Sequence, residues 1–149
     1  MELNNITIGY CEMSADLFVQ SARNGYDSKD FIEKLMNSQT AAYLYHKDYT
    51  EMWRGSSYIL ETLEAECPLR KGPTYPEDLM SWIGYLFECW KLTYPCESAK
   101  DILRQAPVEV LLLAYQGLHV LPFEDAILEL KNISARSAAS PSGQADKIL

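Results

Sequence analysis

The chain has little that suits covalent or metal chemistry. Its 149 residues include two histidines, His46 and His119, and four cysteines, Cys11, Cys67, Cys89 and Cys96. The cysteines form no C-x-x-C pair, and no histidine lies at zinc-ligand spacing beside them. No metal and no cofactor is therefore expected. Glycine-rich phosphate loops of the G-x-G-x-x-G or P-loop type are missing. Ser56 and Ser57 follow Arg54-Gly55 without forming a nucleophile elbow. Basic residues are also scarce. Thirteen Lys and Arg stand against twenty-one Asp and Glu, a net charge of −8. Phosphate contact needs a basic patch, so direct binding to nucleic acid is not expected. The longest apolar stretch is too short to span a bilayer and carries Glu88 and Lys91. The opening Met1-Glu2-Leu3-Asn4-Asn5 is polar and acidic, unlike a secretory signal. The expected compartment is a reducing cytoplasm, with the thiols free.

What the chain does have is hydrophobic residues at 48 % and abundant aromatics: ten Tyr, three Trp and four Phe. That is enough to build a core in one domain of this length. The most telling segment is Ser81-Trp82-Ile83-Gly84-Tyr85-Leu86-Phe87-Glu88-Cys89-Trp90-Lys91. Its polar residues, Ser81, Gly84, Glu88 and Lys91, fall on one narrow helical stripe, and nearly everything else is apolar. A helix apolar around most of its girth sits in the middle of a fold.

Helical periodicity continues along most of the chain. A first helix is expected over about Thr7 to Asn24, with Asn24-Gly25 as its stop. A second opens at Asp27 or Ser28 and reaches towards Tyr45. A third opens at Asp48 with Glu51 at capping-box spacing and places Trp53-Arg54-Gly55-Ser56 inside its pattern, Gly55 permitting a close helix contact. Cys67 to Pro76, with three prolines and a glycine, reads as a loop. The central helix follows to about Thr93. Shorter helices are expected over Ser98 to Gln105, from Pro107 to Gly117, and from Pro122 onward. The Leu111-Leu112-Leu113 run could form a buried strand, but Pro107 and Gly117 bracket a helix-length unit, and no other strand pattern is present. The fold class is thus all-α: a single compact domain of about six or seven helices around a central buried helix. Residues 1–133 form the helical domain, and residues 134–149, rich in Ser, Ala and Gly, form a disordered C-terminal tail.

Two sets of residues are candidates for function. The segment around Tyr43, Tyr45, Tyr49, Met52 and Trp53 holds more apolar side chains than one helix face can bury. Such a surplus marks either deep core or a surface that meets a protein partner. The second set is Trp82, Tyr85, Trp90, Glu97 and His119, whose aromatic rings either pack the core or line a ligand pocket. Glu97 and His119 could pair as carboxylate and imidazole for acid–base work. Alternatively, Glu97 and Ser98 cap a short helix, and His119 is a loop residue.

The letters Trp82-Ile83-Gly84-Tyr85, then Trp90, then Glu97-Ser98-Ala99-Lys100-Asp101-Ile102, then Tyr115, His119 and Ala126-Ile127 carry a resemblance. From about Ile8 to Leu130 the chain resembles a family of small, uncharacterised bacterial proteins, mainly from gut Firmicutes. In that family a "WIGYxYRxW" helix precedes "TGESSKEI", "YxxxHTMD" and "AIxxL" segments. Phe31, Ile32, Met36 and Ala41-Ala42-Tyr43 also follow in the family's order. This chain departs from it at Thr93-Tyr94-Pro95-Cys96 and at His119-Val120-Leu121-Pro122. Genes of this family often lie beside an ADP-ribosyltransferase-like toxin. The resemblance implies an antitoxin-like or accessory role in a toxin–antitoxin-type operon, with a cognate toxin as partner. The expectation is a non-enzymatic protein-interaction module. The alternatives are an enzyme or small-ligand-binding protein using the aromatic pocket, or a self-associating homo-oligomer.

Overall fold

The computed structural model describes residues 4–45 and 54–139. Among these residues the chain is all-helical, with eight helices and no strand. The elements are α1 (Asn5–Arg23), α2 (Ser28–Met36), α3 (Gln39–Leu44), α4 (Ser56–Glu66), α5 (Glu77–Thr93), α6 (Ala99–Gln105), α7 (Val108–Leu118) and α8 (Phe123–Ala139).

Local chemistry explains most of the boundaries. Asn4 and Thr7 form a reciprocal capping box on α1, and Ser98 and Asp101 form another on α6. Gly25 leaves α1 with φ 81°, a left-handed position suited to glycine. The helix expected from Ser28 towards Tyr45 is broken at Asn37. Ser38 then caps a new helix by accepting from the Ala41 amide. The Glu66 carboxylate at the end of α4 adds to this start, accepting the amides of Gln39 and Thr40. Gly55 does not sit inside a helix as its sequence context suggests. It precedes α4 with φ 94°, and no atom lies within 4 Å of where its Cβ would be, so it supplies a turn and no close contact.

At the centre, α1 lies along α5. On α5, Met80, Ile83, Leu86, Phe87 and Trp90 are fully buried, each worth about 1.5–3 kcal/mol in burial. The polar stripe of α5 is not its solvent face. Gly84 faces α1 so closely that a Cβ would lie 2.7 Å from the Ser14 carbonyl oxygen and 2.9 Å from the Ala15 Cα. The Ser14 hydroxyl donates to the Gly84 carbonyl at 2.8 Å. Beside this crossing, Phe18 meets Phe31 and Phe87 edge-on. α4 covers α1, α8 covers α5, and α3 rests on α4. α6 packs against α2 and α5, while α7 rests on α2.

The proline-rich loop expected between Cys67 and Pro76 is present, and it is tied to the start of α2. Asp27 donates its amide to Arg70, Ser28 to Pro73, and Gly72 to Gly25. The Arg70 amide donates to Asp30, and the Tyr75 amide to the Ser28 hydroxyl. Despite burial, the bond from Arg70 and the Lys34 ammonium hold Asp30 below the usual carboxylate range. At the other end of the chain, α8 continues through Ser134 to Ala139, beyond the expected start of a disordered tail. Ala and Arg are good helix formers, and extending an existing helix is far easier than starting one. Residues 140–149 lie outside the described residues.

Gly84→Ala is expected to lower stability by about 1–3 kcal/mol, even though Ala is the better helix former. Urea denaturation measures it. An unchanged midpoint would show that α1 and α5 separate freely and that the crossing carries no strain.

Candidate functional site

Of the residues expected to meet a partner, Tyr43 is on the surface at 56 % exposure. Tyr45 is not: it is buried at the end of α3, with its hydroxyl inside the protein. The α3 helix presents Ala42 and Tyr43 outward and turns Ala41, Leu44 and Tyr45 inward, which accounts for the apolar surplus there. Tyr49, Met52 and Trp53 lie outside the described residues, as does His46.

The second set is brought near the α5–α8 side of the fold, but as ring pairs and a polar knot. Trp82 meets Tyr115 edge-on at 5.4 Å, and Tyr85 stacks on Phe123 at 4.5 Å. Burial pushes the Tyr85 phenol up to about 12. Trp90 is fully buried, and its indole N–H donates to Glu97 at 3.0 Å. Glu97 also accepts from Gln105 at 2.7 Å and is ion-paired with Lys131. The Lys131 ammonium lies over the Tyr94 ring, 4.2 Å from its centroid, and bonds Gln105 as well. Against the burial that would raise it, these hydrogen bonds hold the Glu97 carboxyl below its ordinary value.

The structure does not join Glu97 to His119. His119 Nδ1 donates to the Tyr115 carbonyl at 2.7 Å, and its ring stacks on Tyr115. Glu97 does not cap α6 either; Ser98 does. Glu97 instead fastens α5, α6 and α8 together. An ionised carboxylate with three donors is a poor proton acceptor, so this geometry favours a structural role.

A different acid is the unusual one. Glu88 is fully buried, and neither carboxyl oxygen has a hydrogen-bond partner among the described residues. Burial, and next the neighbouring Cys89, push it up from 4.5 to about 8, while Lys91 pulls the other way. Burial thus favours the protonated form of Glu88. Around it stand Cys11 of α1, Tyr45 of α3, and Cys89 and Lys91 of α5. Cys11 and Cys89 are free thiols, not a disulfide, and their sulfurs lie 3.5 Å apart. Their mutual hydrogen bond, and next burial, raise the Cys11 thiol far above its usual range. Such thiols are inert neighbours and not nucleophiles. Among the described residues no group of His, Cys, Asp and Glu is placed to hold a metal ion, and no helix is long and apolar enough to cross a membrane.

The exposed feature missed in the sequence reading is α7. Val108, Leu111 and Leu118 are buried, but Leu112 and Leu113 are exposed, Leu113 at 86 %. The turn after the helix exposes Val120, at 72 %, and Leu121. The signal was available in Leu111-Leu112-Leu113. Three consecutive residues sweep most of a helical turn, so they cannot all face one core. Leu113 and Gly117 lie one turn apart on α7, and Val120 follows two residues after the helix ends at Leu118. On α8, exposed Leu128 lies beside Glu124 and Asp125.

Two outcomes check the polar interior. Because the folded pKa of Glu88 is raised, its stabilising contribution is complete below about pH 4.5 and is lost as pH rises towards about 8. Glu88→Gln is expected to remove that loss, so the variant gains on the wild type between pH 5 and 9 in denaturation titrations; parallel curves would mean that Glu88 is ionised in the fold. Glu97→Ala leaves Trp90 and Lys131 without their acceptor and is expected to cost about 2–4 kcal/mol. A melting temperature equal to that of the wild type would show that the knot is not structural. In comparisons with known proteins, the chain matches no family model, and no curated protein or solved structure is significantly similar to it.

Proposed function

We propose that this protein is a non-enzymatic interaction module that engages a protein partner through the outer face of α7 and the turn that follows. The observation that carries this reading is the exposure of Leu112 and Leu113 on a short helix resting on α2, and of Val120 and Leu121 in the turn that follows it. Single exposed apolar residues are ordinary, but several gathered at one end of a helix mark a place where another chain packs. Exposed Tyr43, on α3, is a second surface aromatic that a partner could cover.

The resemblance to small bacterial proteins encoded beside ADP-ribosyltransferase-like toxins gives the proposal a biological form. In it, the chain is an antitoxin-like or accessory component working in a reducing cytoplasm, where its four free thiols are at home. Occluding a toxin's site requires shape and affinity only, so the Glu97 knot and the Glu88 interior serve to hold the scaffold. This is consistent with a protein whose polar side chains are spent on fastening helices.

The test is co-purification. The tagged chain is co-expressed with its neighbouring genes, alongside the double variant Leu113→Asp, Val120→Asp. A stoichiometric partner is expected with the wild type and lost with the double variant. The variant's melting temperature should stay close to wild type, because exposed substitutions usually change stability by less than about 0.5 kcal/mol each. A partner retained by the double variant, or none with either protein, would sink the α7 reading.

A further inference from the structure

We infer that the groove between the α2–α3 break and the start of α6 binds a small organic anion, a carboxylate or a phosphate ester, held by Lys91 and Lys100. The site is separate from the α7 contact, and none of the exposed α7 residues lines it.

The break that ends α2 at Met36 and restarts the chain as α3 forms one wall, and α5 with the start of α6 forms the other. The cleft encloses about 370 Å³, within the range of about 300–1,000 Å³ usual for small-ligand sites. Met36, Ala41 and Tyr45 give it an apolar lining, and all three are buried, so the core fixes their positions. The backbone has few donors left to offer. Glu66 takes the Gln39 and Thr40 amides, the Ser38 hydroxyl takes that of Ala41, and the Ser98 hydroxyl takes that of Asp101. Recognition of a ligand falls to side chains.

Two of those side chains are cations that face no carboxylate. Elsewhere Arg23, Lys29, Lys34 and Lys131 each meet an acid. Lys91 donates instead to the carbonyls of Pro95 and Glu97, at 2.8 and 2.7 Å, which leaves it a further N–H. Glu88, one turn before it, favours its protonated form and offers it little counter-charge. Lys100 is exposed and makes no ion pair or hydrogen bond among the described residues. Among the described residues no Asp or Glu lines the groove. Two other clefts of this acidic chain differ: Glu61 and Glu64 line one along α4, and Glu12, Asp16, Glu77 and Asp78 line one between α1 and α5. A carboxylate or phosphate in the groove gains charge-assisted bonds from the ammonium groups while its apolar body covers Met36 and Tyr45. A cation finds no carboxylate to meet there.

The experiment is an amide NMR titration of the full chain with phenyl phosphate, benzoate and neutral benzyl alcohol, at about 0.15 M salt to screen distant charges. At least one of the two anions is expected to give saturable shifts at residues 37–42 and 98–100, with a dissociation constant of about 1 mM or tighter. The tighter of the two names the charged group. Benzyl alcohol is expected to bind at least about tenfold more weakly. Lys100→Gln is expected to weaken the anion by about tenfold with the melting temperature unchanged, because that side chain is exposed and unpaired. Lys71 is the control: it also faces no carboxylate, but it lies over Tyr26 and bonds the Asn24 carbonyl, away from the groove. Lys71→Gln removes the same charge and is expected to leave the affinity as it is.

Three results would overturn the inference. Shifts that grow without saturating, or that fall outside the groove, mean that no site is built there. Benzyl alcohol binding as tightly as the anions leaves an apolar cleft and removes the anion. Equal weakening by Lys71→Gln and Lys100→Gln is attraction to any exposed cation. None of these outcomes touches the α7 contact, which co-purification tests on its own.

Discussion

The crossing of α1 and α5 at Gly84 is the contact on which the rest of the molecule depends. With hydrogen in place of a methyl group, the α5 backbone comes against Ser14 and Ala15, and the Ser14 hydroxyl closes on the Gly84 carbonyl. That close approach brings Phe18 among Phe31 and Phe87, and it puts Cys11 in contact with Cys89. It also seals Glu88 away from water. A crossing held wider would leave room for solvent at the carboxyl, which would then stay charged. The upward shift of Glu88 is therefore a result of how tightly α1 and α5 meet.

Glu97 and Glu88 show the same residue type under opposite conditions. Glu97 has a cation, an indole N–H and an amide around it, and it stays ionised while holding three helices in register. Glu88 has no donor among the described residues and favours its protonated form. Both are internal fastenings or tensions of the scaffold, and both sit away from the exposed face of α7. The arrangement separates a well-tied interior from a peripheral helix that has apolar side chains to spare.

Much of the architecture was legible in the residues, because helical periodicity and capping chemistry are local. The stops and starts at Gly25, Ser38, Cys67 and Ser98 each rest on a few neighbouring side chains, although only some were recognised beforehand. The central position of α5 followed from its apolar girth. What lies over its polar stripe was not legible, since only the fold shows that Gly84 faces α1 and that Glu88 is buried. Gly55 and Gly84 illustrate the same difficulty: one supplies a backbone angle, the other a close approach, and the letter is identical. The site residues fared less well because they depend on tertiary partners. Glu97 found Lys131, distant in the chain, in place of His119. Tyr45, two positions after Tyr43, turned inward. The α7 face was readable from three adjacent leucines, but only once helical geometry was applied to them together.

The loop between α4 and α5 has a consequence for how the chain assembles. Its hydrogen bonds reach back to the α1–α2 turn across 40 and 47 residues, from Arg70 to Asp30 and from Tyr75 to Ser28. Such bonds form only after a long stretch of chain has been closed into a ring, whose entropy must be overcome first. The first two helices therefore act as a template waiting for a strand of prolines made much later in synthesis. Once seated, that segment couples the end of α4 and the start of α5 to the same anchor, so the halves on either side of it are held to one another.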